Sequence, residues 1–202
     1  MAMSTLTIAL TVTLNGKPEF SLGLAYGHKG QQIILDRPDW LAPFVPTPQR
    51  VVKAILRLAK VGENDLVYDL GSGDGRIIVM AALEFHARAV GIELDEDLCR
   101  KATLEIKRLQ LDEQVRVIQG DIFTQDLRQA TVVTIYLLPK SLEKLAPLLE
   151  RQLKEGSRVV TVNSEISGWT YALRKEVKDK ARATPYTLYL YERQNQPWRS
   201  HS

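Results

Sequence analysis

Val67-Tyr68-Asp69-Leu70-Gly71-Ser72-Gly73-Asp74-Gly75-Arg76-Ile77 sets three glycines between two apolar runs. The first run, Leu66 to Leu70, has the length of a buried strand, and the residues after Gly75 carry helical spacing. In an open α/β sheet this junction is where a nucleotide binds. It lies outside the carboxyl end of a strand, where backbone must approach the ligand and a Cβ would intervene. The dinucleotide fingerprint spaces its glycines G-x-G-x-x-G, whereas here they read G-x-G-x-G, one residue shorter. Asp69 before the loop and Asp74 inside it make a poor cradle for pyrophosphate. They suit a ligand with a cationic amino-acid end.

Moving outward from the loop, strands and helices alternate. A helix follows Gly75, then a strand Ala89 to Ile92, a helix from about Asp95 to Leu109, and strands Val115 to Gln119 and Val132 to Leu138. A helix from about Ser141 to Leu153, interrupted at Pro147, precedes a strand Arg158 to Val162. Upstream, Pro43-Phe44-Val45-Pro46-Thr47-Pro48 reads as extended, because each residue before a proline is pushed out of the α region. Thr47 then sits where a helix cap belongs, with Pro48 at the first helical position and Val51, Val52, Ile55, Leu56 and Leu58 as the apolar stripe. Tyr171 to Val177 and Tyr186 to Glu192 follow without a helix between them and predict a closing antiparallel pair. The fold expected is α/β: a Rossmann-like, doubly wound sheet, mostly parallel with an antiparallel terminal strand.

Before that pattern, residues 5 to 14 alternate Thr with apolar residues and run into Asn15-Gly16, a strong hairpin signal. Glu19 to Leu24 supplies the second arm and Gln32 to Leu35 a further strand. Residues 1–38 are therefore expected to form a small β-hairpin appendage, and residues 39–202 the main domain. With 202 residues, 45% hydrophobic and 25% charged, the chain has enough apolar material for one core and too much for disorder. Met3 to Leu14, the longest apolar stretch near the start, is broken by Thr and Ser and falls short of the roughly 20 residues of a spanning helix. No basic residue precedes it and no small-residue cleavage pattern closes it. The lone Cys99 cannot form an internal disulfide and reads as a small buried hydrophobe, so a cytoplasmic setting is expected. His28, His86 and His201 lack metal-ligand spacing, and no metal is expected. The net charge of +3 is uneven: Pro46 to Pro139 carries twelve basic and fourteen acidic residues, the remainder after it twelve basic and seven acidic.

Two further strand ends carry carboxylates. Glu93, closing Gly91-Ile92-Glu93-Leu94-Asp95 about 20 residues beyond the glycine loop, stands where an acidic side chain accepts ribose hydroxyls. Asp121, in Gly120-Asp121-Ile122-Phe123, can accept an adenine amino group while Ile122 covers the ring. Each alone is weak, since acidic residues end many strands. Three in order, at the strand ends that one nucleoside spans, form a strong pattern.

DLGSGDGRI, GIELD and GDIF resemble the successive cofactor motifs of class I, seven-strand S-adenosylmethionine-dependent methyltransferases, over about Pro43 to Glu192. More narrowly, PFVPTPQRVV, DLGSGDGRI and ATVVTIYLLP resemble a bacterial group related to the animal mitochondrial protein-lysine methyltransferases. The resemblance implies that Asp69, Gly71 and Gly73, with Ser72 and Asp74 of the same loop, hold the methionine end of the cofactor. It gives Glu93 the ribose and Asp121 and Ile122 the adenine, and it has Thr47 close over the ligand. Tyr136-Leu137-Leu138-Pro139 occupies the slot where members present substrate-facing groups, which makes Tyr136 and Pro139 candidates for the acceptor side. Glu165 and Trp169, after the fifth strand, are the next candidates, although Asn163 to Trp169 departs from the family's pattern.

The function expected is methyl transfer from S-adenosylmethionine to a protein nitrogen, on lysine. Methylation of RNA or of a small molecule is the rival within enzymes. The basic final third fits RNA, while the absence of Asn/Asp-Pro-Pro at Tyr136 to Pro139 argues against a nucleobase amine. A nicotinamide oxidoreductase is disfavoured by the loop spacing and Asp74. A cofactor-binding interaction module without catalysis is the alternative from another class.

Overall fold

The computed structural model describes residues 7–14, 17–26, 32–34 and 44–194. They fall into two compact units, residues 1–45 and 46–202. In the first unit β1 (Thr7–Leu14), β2 (Lys17–Tyr26) and β3 (Gln32–Ile34) form an antiparallel sheet in that order. Thr7 pairs with Ala25 and Leu14 with Lys17, and the register shifts between Val12 and Thr13. The Asn15-Gly16 turn lies outside the described residues.

The second unit is built on a seven-stranded sheet. Its strands are β4 (Leu66–Leu70), β5 (Arg88–Glu93), β6 (Val115–Gln119), β7 (Val132–Ile135), β8 (Arg158–Val162), β9 (Leu173–Val177) and β10 (Tyr186–Glu192). They lie in the order β6-β5-β4-β7-β8-β10-β9, and β10 runs antiparallel to both neighbours. The helices are α1 (Gln49–Leu58), α2 (Arg76–Phe85), α3 (Glu96–Arg108) and α4 (Pro139–Gln152). From β4 the chain winds outward through β5 and β6, returns, and winds the other way through β7 and β8. The topological switch point therefore falls between β4 and β7, where an open sheet leaves a crevice at its carboxyl edge.

Strand periodicity decides what faces what. Val67, Val132, Val160, Val162, Leu188 and Leu190 join Val51, Val52, Ile55 and Leu56 of α1, Ile77, Ile78, Ala81 and Ala82 of α2, and Ile106 of α3 in one buried core. Residues on that parity share its face, so Asp69, Thr134, Tyr136 and Tyr186 project on the α1/α2 side. Right-handed crossovers in the opposite winding direction put α4 on the other face. Its buried Leu142, Leu145 and Leu149 stand outside the first core. At the amino ends of the strands Asp65 fastens the sheet: it accepts from Gly62 N at 2.9 Å, from Thr131 Oγ1 at 2.7 Å and from Arg158, which also donates to Ala59 O at 2.6 Å.

Two helix readings need correction. Thr47 is not the cap of α1: Pro48 is, with a non-helical ψ of 143°, because the Thr47 carbonyl is held elsewhere. Nor does Pro147 interrupt α4, which runs unbroken through it. Leu142, Leu145, Ala146, Leu148 and Leu149 are buried on both sides of the proline, and that packing outweighs one lost backbone bond.

Candidate active site

Asp69, next to last in β4, lies inside the protein with 3% of its surface exposed. Its Oδ1 accepts a 2.7 Å hydrogen bond from Thr134 Oγ1 on the adjacent strand β7. Burial pushes its carboxyl up to about 7; the Thr134 bond opposes this, and the nearby charges of Glu93 and Asp74 add to it. A carboxylate so placed is poised to gain from a cation brought beside it.

The glycine loop after Asp69 is clamped to the end of β5. Gly71 N and Ser72 N both donate to Ile92 O, at 2.9 and 3.0 Å, and Gly73 N donates to Glu93 Oε2 at 2.7 Å. Gly71 has φ +79°, a conformation that side chains disfavour. Gly91 is required for a different reason. A Cβ there would meet Ser72 Oγ at 2.6 Å and Ile78 Cδ1 at 2.9 Å, so its bare backbone is what lets the loop lie against β5. Ser72 Oγ itself is buried without a hydrogen-bond partner.

Glu93 does more than the sequence indicated. Its Oε1 accepts from Leu94 N and Asp95 N, both at 2.9 Å, while Oε2 holds Gly73 N. By a count of two lone pairs per oxygen, one acceptor direction on Oε2 stays open. Beyond it, Asp121 is exposed at the carboxyl end of β6, its Oδ1 accepting from Phe123 N at 2.9 Å. Ile122, expected to cover a ring, is 2% exposed and belongs to the interior.

Asp74 also departs from expectation. Its two carboxylate oxygens take Arg76 Nε at 2.8 Å and Nη2 at 2.5 Å, while Arg76 Nη1 donates to Thr47 O at 2.7 Å. Partial burial works to raise the Asp74 carboxyl, but bonding and charge from Arg76 outweigh it and hold the group below its usual range. Asp74 thus acts through Arg76 to fix the buried Thr47 segment.

On the other side of the switch point, Tyr136 follows β7 directly. The next residue, Leu137, has its Cδ2 3.6 Å from where a Cβ on Gly71 would stand, which sets the end of β7 near the glycine loop. The Tyr136 hydroxyl accepts from Asn163 Nδ2 at 2.9 Å, and the ring meets Tyr186 edge-on at 6.4 Å. Asn163 directly follows β8 with φ +63°. Its backbone donates to Thr187 O at 2.7 Å and its Oδ1 accepts from Thr187 N at 3.0 Å. Arg182, in the β9–β10 loop, lies over the Tyr186 ring with Cζ 4.2 Å from the centroid. Partial burial lowers its pKa, and interactions with Tyr186 and Tyr136 raise it to a net value above the usual. Pro139 is exposed as the first residue of α4.

Glu165 and Trp169 do not stand at this edge. After Asn163 the chain turns back, Thr161 Oγ1 donating to Ser164 O at 2.5 Å, and Ile166 N donates to the Tyr191 hydroxyl at 2.9 Å. Tyr191 pairs with Val159, near the amino end of β8. Trp169 packs on Tyr191 at 5.6 Å, and its indole donates to Glu150 Oε1 at 2.9 Å, near the end of α4. It is a packing residue at the opposite end of the sheet, and the exposed Glu165 lies on the way there. Sequence reasoning also missed Thr134, Asn163, Arg182 and Tyr186. Strand parity pairs Thr134 with Asp69 and could have found it; the other three need the β10 register.

Cys99 is buried, with its thiol pushed up to about 11 by burial and by the charges of Glu93, Asp95 and Glu96. Among the described residues no group of His, Cys, Asp and Glu is arranged to hold a metal ion, and no helix is long and apolar enough to cross a membrane.

A family model described as the ANTKMT methyltransferase domain matches residues 69–172, from the end of β4 to just before β9. The chain is 42% identical over 150 residues to a protein-lysine N-methyltransferase of Saccharolobus islandicus, covering 74% of this chain and 92% of that protein. It is 32% identical over 127 residues to the mouse adenine nucleotide translocase lysine N-methyltransferase, covering 63% of this chain and 55% of the relative, little more than half its length. Among solved structures, a Salinibacter ruber protein described as an RNA methyltransferase, in complex with S-adenosyl-L-homocysteine, superposes with a TM-score of 0.69. It shares 42% identity and covers 75% of this chain and 95% of its own. The family match spans more than half of the residues and the Saccharolobus relative is matched over nearly its whole length; the chain belongs to the ANTKMT methyltransferase family.

Proposed function

We propose that this methyltransferase uses S-adenosylmethionine to methylate lysine side chains of proteins, with the cofactor on the β4–β5–β6 side of the switch point and the acceptor on the β7–β8–β10 side. The observation that carries the reading is the register of β4 and β7, which pairs Asp69 with Thr134 and sets Tyr136 two residues further along the same face, at the carboxyl edge. The residues fit that cofactor. Asp69 is a buried carboxylate that a cationic amino-acid end would satisfy, and Ser72 Oγ is a buried hydroxyl in need of a partner. Glu93 has one acceptor direction left for a ribose hydroxyl, and Asp121 stands exposed where the base would reach.

S-adenosylmethionine supplies a methyl group on a sulfonium, open to direct displacement. The protein's task is then alignment, which can lower a barrier by roughly 7 to 11 kcal/mol. The acceptor amine must arrive neutral, whereas a lysine at about 10.4 is mostly protonated at neutral pH. Withdrawal of the amine from water and its approach to the cationic sulfonium favour the neutral form. The Tyr136 hydroxyl, held by Asn163, keeps a lone pair to accept an amine N–H and so fixes the direction of the nitrogen.

The names of the Saccharolobus and mouse relatives support a lysine acceptor. An RNA acceptor has its own support in the description of the Salinibacter protein and in the basic run Arg174 to Arg182. Incubation with labelled cofactor and fractionated lysate, followed by protease or nuclease, separates them. Label released by protease and recovered as methyllysine is expected. Label that survives protease and is released by nuclease would overturn the lysine reading.

A further inference from the structure

We propose that the ring face of Tyr186, edged by Tyr136, is the seat of the acceptor's side-chain cation, and that Arg182 fills it as an intramolecular stand-in until substrate displaces it. The proposal rests on the lysine reading above and adds to it a gate and the residue that keeps it.

Three observations converge on this seat. A guanidinium carbon 4.2 Å from a ring centroid has the geometry of a cation–π pair, and the same face would attract the ammonium of an arriving lysine before it loses its proton. The two rings are fixed from behind: they meet edge-on at 6.4 Å, and Asn163, held in a left-handed conformation by two bonds to the Thr187 backbone, donates to the Tyr136 hydroxyl. The seat also borders the proposed cofactor site, since Tyr136 stands two residues beyond Thr134 on the same face and Thr134 bonds Asp69.

The segment that carries Arg182 is built differently from the rest of the site. Lys178, Lys180, Ala181, Ala183 and Thr184 are exposed, and Arg182 has one further bond inside the loop, a 3.3 Å contact from Nη2 to Thr184 Oγ1. One ion pair, Asp179 with Arg50 of α1 at 3.7 Å, straps the loop across the face that holds the seat. Such a loop can move without disturbing the core. Because the seat is self-occupied, the apparent affinity for substrate is reduced by the fraction of molecules in which Arg182 has left. A chain with lysine at the same position would place an amine at the seat in cis. In the transfer the amine lone pair forms the N–C bond as the S–C bond breaks, sulfur takes the bonding pair, and the resulting ammonium gives a proton to water.

The test uses the full chain with S-adenosylmethionine and an unstructured peptide carrying a single lysine. Arg182→Ala is expected to lower the KM for peptide about three- to tenfold, the range of a partly exposed cation–π contact, while the KM for cofactor stays where it was. Arg182→Lys is expected to acquire a methyl group at position 182, detected by mass spectrometry, at a rate independent of enzyme concentration. In a Tyr186→Leu background both effects should vanish and the peptide KM should rise. A wild type that methylates the peptide, with a KM unmoved by Arg182→Ala and no methyl on Arg182→Lys, overturns the seat and leaves the lysine reading standing. A wild type that methylates no lysine in peptide or lysate overturns the lysine reading, and this proposal falls with it.

Discussion

Replacing Asp69 with asparagine should stabilise the cofactor-free protein at alkaline pH while removing its affinity for S-adenosylmethionine. The carboxyl lies at 3.8 when free and near 7 in the fold, chiefly through burial. Between those values the native state binds a proton that the unfolded chain has released, so stability falls as pH rises from about 4 to 7 and then levels off. The interval of roughly 3 pH units, at about 1.4 kcal/mol each, gives about 4 kcal/mol as the upper bound of the penalty. Asparagine has no charge to desolvate, and its Oδ1 can still accept from Thr134, but its amide adds donors whose burial costs about 1–3 kcal/mol. The net expected gain is about 1–3 kcal/mol at pH 8.5, or roughly 2–12 °C in Tm for a chain of this length. At pH 5, where the wild type already carries about 1.6 kcal/mol of the penalty, the difference falls to between a gain of about 0.5 and a loss of about 1.5 kcal/mol. Urea unfolding of both proteins at pH 5, 7 and 8.5, with titration calorimetry for the cofactor, measures each part. A stability difference that is the same at pH 5 and 8.5 would refute the assignment of Asp69 as the buried ionisable group.

Gly91→Ala sets a methyl group 2.6 Å from Ser72 Oγ and should weaken cofactor binding at least tenfold, since the loop must lift from β5; calorimetry checks it. Glu93→Ala removes the acceptor of three backbone N–H groups as well as the proposed ribose contact, so cofactor affinity should fall at least a hundredfold, and hydrogen exchange at Gly73 should accelerate. Tyr136→Phe keeps the ring and deletes the hydroxyl that Asn163 holds; kcat should drop about tenfold or more, with peptide KM changed less. Arg158→Met strands Asp65 at the amino edge of the sheet and should lower stability by about 3 kcal/mol in thermal or urea unfolding, far from the site and without effect on cofactor affinity.

The geometry of the proposed cofactor half was legible in the sequence because it is local. Asp69, the three loop glycines and Glu93 lie within 25 residues and are joined by two strands, and period-2 and period-3.6 patterns suffice to set them at one edge. What escaped was the direction of side chains inside that half. Asp74 reads as a ligand until Arg76 is seen to claim both its oxygens, and Glu93 reads as a simple ribose acceptor until its hold on Gly73 is counted. The acceptor half is nonlocal: Tyr136, Asn163, Arg182 and Tyr186 span 50 residues, and only the antiparallel register of β10 brings them together. The same register explains the misplacement of Trp169, since a loop leaving β8 at the carboxyl edge must return to the amino edge before β9 can run parallel to β8.

The antiparallel strand is therefore more than a mark of the fold. Were the last strand parallel to β8, its first residues would lie at the amino edge and Tyr186 would face the Asp65–Arg158 fastening. Inverting β10 delivers Tyr186 and the loop before it to the carboxyl edge, where Tyr136 waits and where Arg76, tied to Thr47 and Asp74, closes the same face. Charge follows this geometry. Asp69, Glu93 and Asp121 stand at or just beyond the carboxyl ends of β4, β5 and β6, and the basic run 174–182 arrives by the inverted hairpin on the other side of the switch point. A lysine-bearing substrate approaching across that basic hairpin gains little from bulk attraction, so discrimination rests on the aromatic seat and on the displacement of Arg182. Raising salt should accordingly change the peptide KM of the wild type by less than about twofold between roughly 50 and 300 mM, because the hairpin would repel rather than steer a basic peptide and the seat itself is short-range. A steep rise in KM with salt, the signature of attractive steering, would place the acceptor on an acidic surface elsewhere and refute the arrangement.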